Sequence, residues 1–223
     1  MKLSHITLGA ALGLAALAAQ AQENTIKIGV AHLSIHSRAD NLSSNGPAFL
    51  TPQPAGLSIG DATTLLVSYI RKLDDHWDLD FEFGIPPTHN TFGVGTLAPF
   101  GVVSKVKHAG PTLFVNYKFG APESRFRPFV GLGINYTRFY DAESTASGSL
   151  AAGGPTKIEL SDSWGPAAQV GASYKIDERW SVVGTIAVAR VKSDLTATTG
   201  SIQRTTTIDF RPVAYTLAIG YSF

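Results

Sequence analysis

Trp77-Asp78-Leu79-Asp80-Phe81-Glu82-Phe83 alternates apolar and acidic residues without a break. Successive side chains of a strand point to opposite faces. Trp77, Leu79, Phe81, Phe83 and, two residues on, Ile85 therefore share one face, and Asp78, Asp80 and Glu82 share the other. A soluble sheet would bury the apolar face; a membrane barrel would turn it to lipid and keep the carboxylates inside. This strand alone fits both.

Its neighbours separate the two. Segments that read as strands lie near 24–37, 61–71, 76–86, 109–120, 125–140, 159–174, 180–193 and 205–223. Three connections are short and polar: Lys72-Leu73-Asp74-Asp75, Ala121-Pro122-Glu123-Ser124 and Lys175-Ile176-Asp177-Glu178-Arg179. The others, roughly 38–60, 87–108, 141–158 and 194–204, are long and rich in Gly, Pro, Ser or Thr. Short and long alternate strictly. The chain is thus expected to be all-β, an eight-stranded antiparallel transmembrane β-barrel with short periplasmic turns and long extracellular loops. A soluble sandwich has no reason to sort its loops in this way.

The N-terminus agrees with export. Met1-Lys2 supplies a positive start, Ile6 to Ala19 an apolar core, and Ala19-Gln20-Ala21 a small-residue cleavage site. That core is shorter than the roughly 20 residues a spanning helix needs. Residues 1–21 are expected to be a signal peptide and 22–223 one barrel domain. No cysteine is present, which removes disulfides and thiolate metal sites. The formal charge of +1, without a basic run, gives no footing for a nucleic-acid partner. With no second long apolar stretch, membrane spanning requires a closed barrel, because only helices and barrels satisfy their backbone in lipid.

Aromatics stand where interfacial belts would need them. Tyr69, Trp77, Tyr117, Phe119, Phe126, Tyr174 and Trp180 lie beside the short turns, and Phe139, Tyr140, Trp164 and Phe210 toward the long loops. Val213, Tyr215, Leu217, Ile219, Tyr221 and Phe223 alternate outward to a terminal Phe. Such an ending resembles the signal read by the outer-membrane assembly machinery, with Tyr221 and Phe223 as its aromatic residues.

Longer strings then resemble one family. Arg125-Phe126-Arg127-Pro128-Phe129-Val130-Gly131-Leu132-Gly133-Ile134-Asn135-Tyr136-Thr137 is similar to the fifth strand of the OmpW family. Gly110-Pro111-Thr112-Leu113, the stretch from Asp162-Ser163-Trp164 to Val170-Gly171, and Gly220-Tyr221-Ser222-Phe223 resemble it in the same order. The resemblance, which extends to the alkane-uptake AlkL branch, implies a narrow, largely apolar lumen. It implies passive passage of small hydrophobic molecules across the outer membrane of a Gram-negative cell, with sideways exit into the bilayer. Its partners would be outer-membrane lipid and lipopolysaccharide, the barrel assembly machinery and small hydrophobic solutes, with no cofactor.

Specific residues bear on such a path. Pro86, Pro87, Pro111, Pro128, Pro166 and Pro212 fall within or beside the strands. Proline removes a ladder donor, so these positions are candidates for bulges or a lateral opening. Asp78, Asp80, Glu82, Arg127 and Glu159 are expected to face the lumen, where buried charge needs partners; Arg127 or Lys118 would pair with the carboxylates. The reading is either a polar plug or part of a solute path. A candidate apolar mouth comprises Phe49, Leu50, Leu57 and Ile59 in the first long loop, and Phe92, Val94, Leu97 and Phe100 in the second.

Two other classes compete. His32-Leu33-Ser34, followed by His36-Ser37, puts a base and a hydroxyl on one strand, as lipid-modifying barrels do, but no acid partner is legible. His32 and His36 on a strand would lie ~13 Å apart at ~3.3 Å per residue, and His76, His89 and His108 are scattered, although the last two flank one loop and could meet. No metal site is expected. A surface-interaction role, as adhesin or as phage or bacteriocin receptor, would use long loops such as Ala142–Ser149, read as mobile and polar.

Overall fold

The computed structural model describes residues 24–223; the expected signal peptide lies outside them. Eight antiparallel strands form the barrel: β1 (Asn24–Ile35), β2 (Ala62–Lys72), β3 (Trp77–Gly84), β4 (Thr112–Lys118), β5 (Phe126–Ser144), β6 (Ser163–Lys175), β7 (Trp180–Ala189) and β8 (Pro212–Ser222). Each pairs with its sequence neighbours, and β8 returns to β1 in unbroken register from Thr25↔Ser222 to Ile35↔Pro212. Phe223 and Asn24 exchange backbone hydrogen bonds at 2.9 and 3.0 Å, which closes the seam to the last residue. Closure leaves no sheet edge, and the residues turned outward account for the chain's setting. Ile26, Ile28, Val30, Leu132, Leu217 and Ile219 are exposed, whereas Lys27, Ser68, Asn116, Gln169, Thr185 and Thr216 are buried. That is a water-soluble sheet turned inside out. No helix among the described residues is long and apolar enough to cross a membrane, so the strands do.

Two of the three short turns share a device. Asp74 Oδ1 accepts the backbone N–H groups of His76 and Trp77 at 2.7 and 2.8 Å, and Asp177 Oδ1 accepts those of Arg179 and Trp180 at 2.8 Å. Each carboxylate replaces the backbone partner that the reversing chain lacks, and those N–H groups hold both acids below the usual carboxylate range. The Trp that closes each turn enters the periplasmic aromatic belt. Trp77 packs on Tyr117 at 5.0 Å between ring centroids and Trp180 on Tyr221 at 4.9 Å. At the outer rim, Trp164 and Tyr136 pair at 4.7 Å.

The long loops are built rather than irregular. Strands at Ala55–Ile59, Thr88–Gly95 and Val102–Ala109 pair in sequence and join the outer end of β5. Strands at Lys157–Leu160, Lys192–Thr199 and Ile202–Asp209 form the opposite wall. Together they raise a collar above the membrane. The stretch 142–149, expected to be a mobile loop, instead ends β5 and starts helix α1 (Ala146–Ala152). Thr145 caps it by accepting Gly148 N–H at 3.0 Å, and Gly153 ends it in the left-handed region at φ 84°. Gly148 has no alternative, because a Cβ there would fall 1.9 Å from the Val103 carbonyl oxygen.

Several segments expected as single strands break at the collar. The segment 159–174 is interrupted at Ser161-Asp162, so side-chain parity resets. Ile158 and Leu160 pack inward, and Glu159 points out, bonded to Lys157 at 2.7 Å on the collar surface. Glu159 is therefore no part of the lumen. Phe139 and Phe210 leave the expected outer belt for the opposite reason. Each continues the inward parity of its strand, and the two rings stack inside at 5.1 Å.

Candidate functional site

Down the barrel axis the lumen divides into four layers. Uppermost is a vestibule of about 330 Å³ inside the collar, lined by Phe49, Leu50, Leu57, Leu97, Phe100, Leu150 and Arg204 among others. Beneath it, Leu42, Ala55, Ile59, Val191, Leu195, Ile208 and Phe210 pack into a constriction in which Ile208 has no exposed surface. Below that is a chamber of about 150 Å³ walled by Leu33, Leu66, Phe114, Phe139, His89, His108 and Ala187. A polar network closes the floor.

The network is built from inward positions of five strands. Lys27 on β1 donates to Asp80 Oδ2 at 2.9 Å and to Glu82 Oε1 at 2.7 Å, both on β3. Ser68 on β2 donates to Asp80 as well. Asp78 accepts from Asn116 Nδ2 at 2.8 Å and pairs with Lys118 at 2.7 Å, both on β4; Gln169 on β6 donates to Asn116 at 2.8 Å. Asn116 can reach over β5 to Gln169 because residue 131, which lies between them in the ladder, is glycine; a Cβ there would lie 2.0 Å from the Asn116 Oδ1. Buried charges are costly unless paired and hydrogen-bonded, and here the three carboxylates all are. Lys118 holds the place expected for it. Arg127 does not pair with a carboxylate; it donates to the carbonyls of Asp75, Phe119 and Gly120 at the periplasmic turns. Lys27, the centre of the network, was missed at the level of sequence. Its signal was legible as the lone charge in Ile26-Lys27-Ile28, on the parity opposite the lipid-facing isoleucines.

The prolines do not act alike. Pro128 and Pro166 sit inside one unbroken register, Phe126↔Tyr174 to Thr137↔Ser163, and their carbonyls accept from Phe119 and Arg190 N–H at 2.8 and 3.0 Å. Neither marks an opening, because an outer position in a twisted ladder can lose one donor without separating the strands. Pro212 ends the β8–β1 register at Ile35. Pro86, Pro87 and Pro111 are different. The β3–β4 ladder stops at Glu82↔Thr112 and pairing resumes only at Thr88↔Lys107 in the collar. Between these points residues 83–87 face 108–111 with no ladder pair, and the chamber extends to Phe83, Gly84, Ile85, Pro87 and Gly110. The gap opens on the side where Phe83 and Ile85 face lipid.

In the collar next to the gap, His89 and His108 stack at 5.0 Å between centroids. His89 Nδ1 lies 2.7 Å from the Gly60 carbonyl oxygen, which can only accept, so Nδ1 carries the proton and Nε2 is the acceptor. Burial pushes both imidazoles down; for His108 burial, with the neighbouring His89 adding to it, lowers the value to about 4. Both rings are neutral at ordinary pH.

Of the expected apolar mouth, Phe49, Leu50, Leu57, Leu97 and Phe100 line the vestibule, and Ile59 belongs to the constriction. Phe92 and Val94 do not. His89 and Thr91 take the inward parity of their strand, which turns Phe92 and Val94 to the outer surface. The His32-Ser34 pair stands on the outer wall beside an acid that sequence could not identify. Ser34 Oγ lies 3.4 Å from Asp61, and His32 Nε2 3.9 Å from the same carboxylate, while His32 Nδ1 meets Thr63 Oγ1 at 3.0 Å. Hydroxyl and imidazole both address the acid rather than each other, so the base does not stand between nucleophile and carboxylate as nucleophilic catalysis requires. Among the described residues no three His, Cys, Asp or Glu side chains converge as metal ligands do.

Comparison with known proteins follows this geometry closely. The sequence pattern of the OmpW family matches residues 20–223. Outer membrane protein W of Vibrio cholerae serotype O1 is 30% identical over 222 residues, 95% of this chain and 97% of that one. Outer membrane protein AlkL of Ectopseudomonas oleovorans is 28% identical over 76% of this chain and 70% of its own. The crystal structure of OprG from Pseudomonas aeruginosa has the same fold, with a TM-score of 0.81, 22% identity and coverage of 92% and 97%.

Proposed function

The chain belongs to the OmpW family of outer-membrane barrels, and from that premise we propose that it passes small hydrophobic molecules passively through its lumen and releases them sideways into the bilayer. A solute enters the vestibule, crosses the constriction as side chains there change rotamer, occupies the chamber and leaves between β3 and β4. One observation carries this reading: the apolar chamber is closed below by the ion-paired network and interrupted at its side between residues 83–87 and 108–111. Downward movement would strip an apolar solute of contacts and bring it against buried charge, whereas sideways movement takes it into hydrocarbon, where the hydrophobic effect favours it. Lipopolysaccharide presents the polar outer layer that such a route bypasses. The chamber volume sets the solute scale, since an apolar cavity of about 150 Å³ holds benzene. No reaction is part of this function, and Tyr221 and Phe223 serve as the recognition signal for the assembly machinery.

The test is uptake of benzene or toluene by cells with and without the protein, beside a polar solute of similar size. Faster uptake of the apolar solute alone supports the route. Equal uptake in both strains overturns it and leaves a barrel whose collar serves surface contact.

A further inference from the structure

Arg204 lies on the inward face of the strand Ile202–Asp209, which continues through Thr206 and Ile208 to the constriction. It is 5% exposed and forms part of the vestibule wall. Its partners are all neutral. Nε donates to Thr51 Oγ1 at 2.8 Å, Nη2 to the Leu50 carbonyl at 3.1 Å and the Ala152 carbonyl at 3.3 Å, and Nη1 to Thr199 Oγ1 at 3.4 Å. A guanidinium carries five N–H donors. Four are engaged here, one of them at a long distance, and Nη1 retains a donor with no partner among the described residues. No carboxylate among the described residues is within ion-pair distance, and burial pushes the group's pKa down. By contrast, the buried Lys27 at the opposite end of the lumen has two carboxylates.

A clasp joining the first loop, α1 and the last hairpin needs donors but no charge. A permanent cation beneath an apolar cavity needs a counter-charge, because Coulombic attraction grows as water is excluded. The rest of the vestibule wall is hydrocarbon: Leu57, Leu97, Phe100, Leu150 and Ile158. We propose that the vestibule is a binding site for amphiphilic carboxylates, with the carboxylate on Arg204 Nη1 and the alkyl or aryl tail along the apolar wall toward Ile208. At about 330 Å³ the vestibule has roughly twice the room of a benzene-sized cavity, enough for a chain of about eight carbons. The site lies upstream of the chamber, so it would select which apolar solutes are retained at the mouth. This inference rests on the passage role proposed above and names one solute class for it.

The experiment uses the full barrel in lipid nanodiscs, with empty nanodiscs subtracted, and titrates octanoate, octan-1-ol and octylamine at pH 7.5 by NMR of the ligand. The expected result is octanoate binding about tenfold or more tighter than octan-1-ol, the scale of a charge-assisted hydrogen bond, with octylamine weakest. Arg204→Gln is expected to bring the octanoate preference to within about twofold of octan-1-ol, and Arg204→Lys to restore part of it. The head-group series on the unaltered protein needs no variant to fold. Equal binding of octanoate and octan-1-ol, or an octylamine affinity matching octanoate, overturns the proposal. Cellular uptake of toluene reads the passage role separately. If that uptake depends on the protein while octanoate shows no preference, only the carboxylate site fails; if it does not, the passage role fails as well.

Discussion

Lys27 Nζ stands 2.9 Å from Asp80 Oδ2 at a point where the two side chains are 0% and 1% exposed, with Glu82 completing the group at 2.7 Å. Three ionic groups are thus buried together at the floor of a membrane barrel's lumen, and each is tolerable only because the others are there. Removal of the cation alone is the sharpest test. Lys27→Met should destabilise the barrel by about 3–5 kcal/mol, the usual result of leaving buried charge unpaired. The Lys27→Met, Asp80→Asn, Glu82→Gln variant should recover a large part of that loss. Urea unfolding in lipid vesicles, followed by tryptophan fluorescence, measures both; similar losses in the two variants would show that the group is not coupled.

The gap between β3 and β4 allows a substitution that fills space without straining the backbone. A Cβ at Gly110 would meet no atom closer than 3.5 Å, and its φ lies outside the left-handed region. Gly110→Leu should therefore fold normally and narrow the passage beside Pro111. Uptake of toluene is expected to fall several-fold, while Pro128→Ala and Pro166→Ala, inside unbroken register, leave it unchanged. Undiminished uptake in Gly110→Leu would place the exit elsewhere.

The constriction separates vestibule from chamber by a few side chains. Ile208→Ala removes buried methyl groups and should cost about 2–5 kcal/mol, while joining the two cavities. Solutes too large for a 150 Å³ chamber, such as naphthalene, are then expected to enter faster than in the unaltered protein. Competition uptake assays with toluene and naphthalene measure the change in ratio, and a constant ratio would mean that the constriction does not limit size.

The His89–His108 pair predicts how the collar responds to acid. His108 is held at about 4 by burial, with His89 contributing, against 6.5 when free. His89 is also lowered by burial, opposed by its bond to Gly60 and by Asp61 nearby. Between these values the unfolded segment binds protons that the folded one does not, so stability falls as pH drops. Collar stability should be full above pH 6.5, decline from 6.5 toward 4 and level off below. Hydrogen exchange of the strands Thr88–Gly95 and Val102–Ala109 reads this directly. His108→Phe is expected to flatten much of the profile; an unchanged slope would assign the response to other groups.

Parity carried most of what sequence could say about the site. Alternation from Trp77 to Phe83 placed Asp78, Asp80 and Glu82 inside, and the same rule applied to Ile26-Lys27-Ile28, or to the run through Phe139 and Phe210, would have placed those residues inside too. The rule failed where a strand breaks. Ser161-Asp162 reset the count and sent Glu159 outward, and nothing local distinguishes that break from a polar pair within a strand. Asp61 beside His32 and Ser34 was likewise beyond reach, since their meeting depends on the β1–β2 register.

The sequence by itself determined the number of barrel strands, their inside-out polarity, the sorting of short turns to one end and the membrane setting. Each of these rests on periodicity along a single strand or on loop length, and both are local properties. Only the tertiary structure decided which charges neutralise one another, which prolines stand at a gap, and that Arg204 has no counter-charge among the described residues. Those outcomes depend on how strands far apart in the chain align around a closed ring. A shift of two residues in any register would preserve every hydrophobic pattern while moving Lys27 away from Asp80.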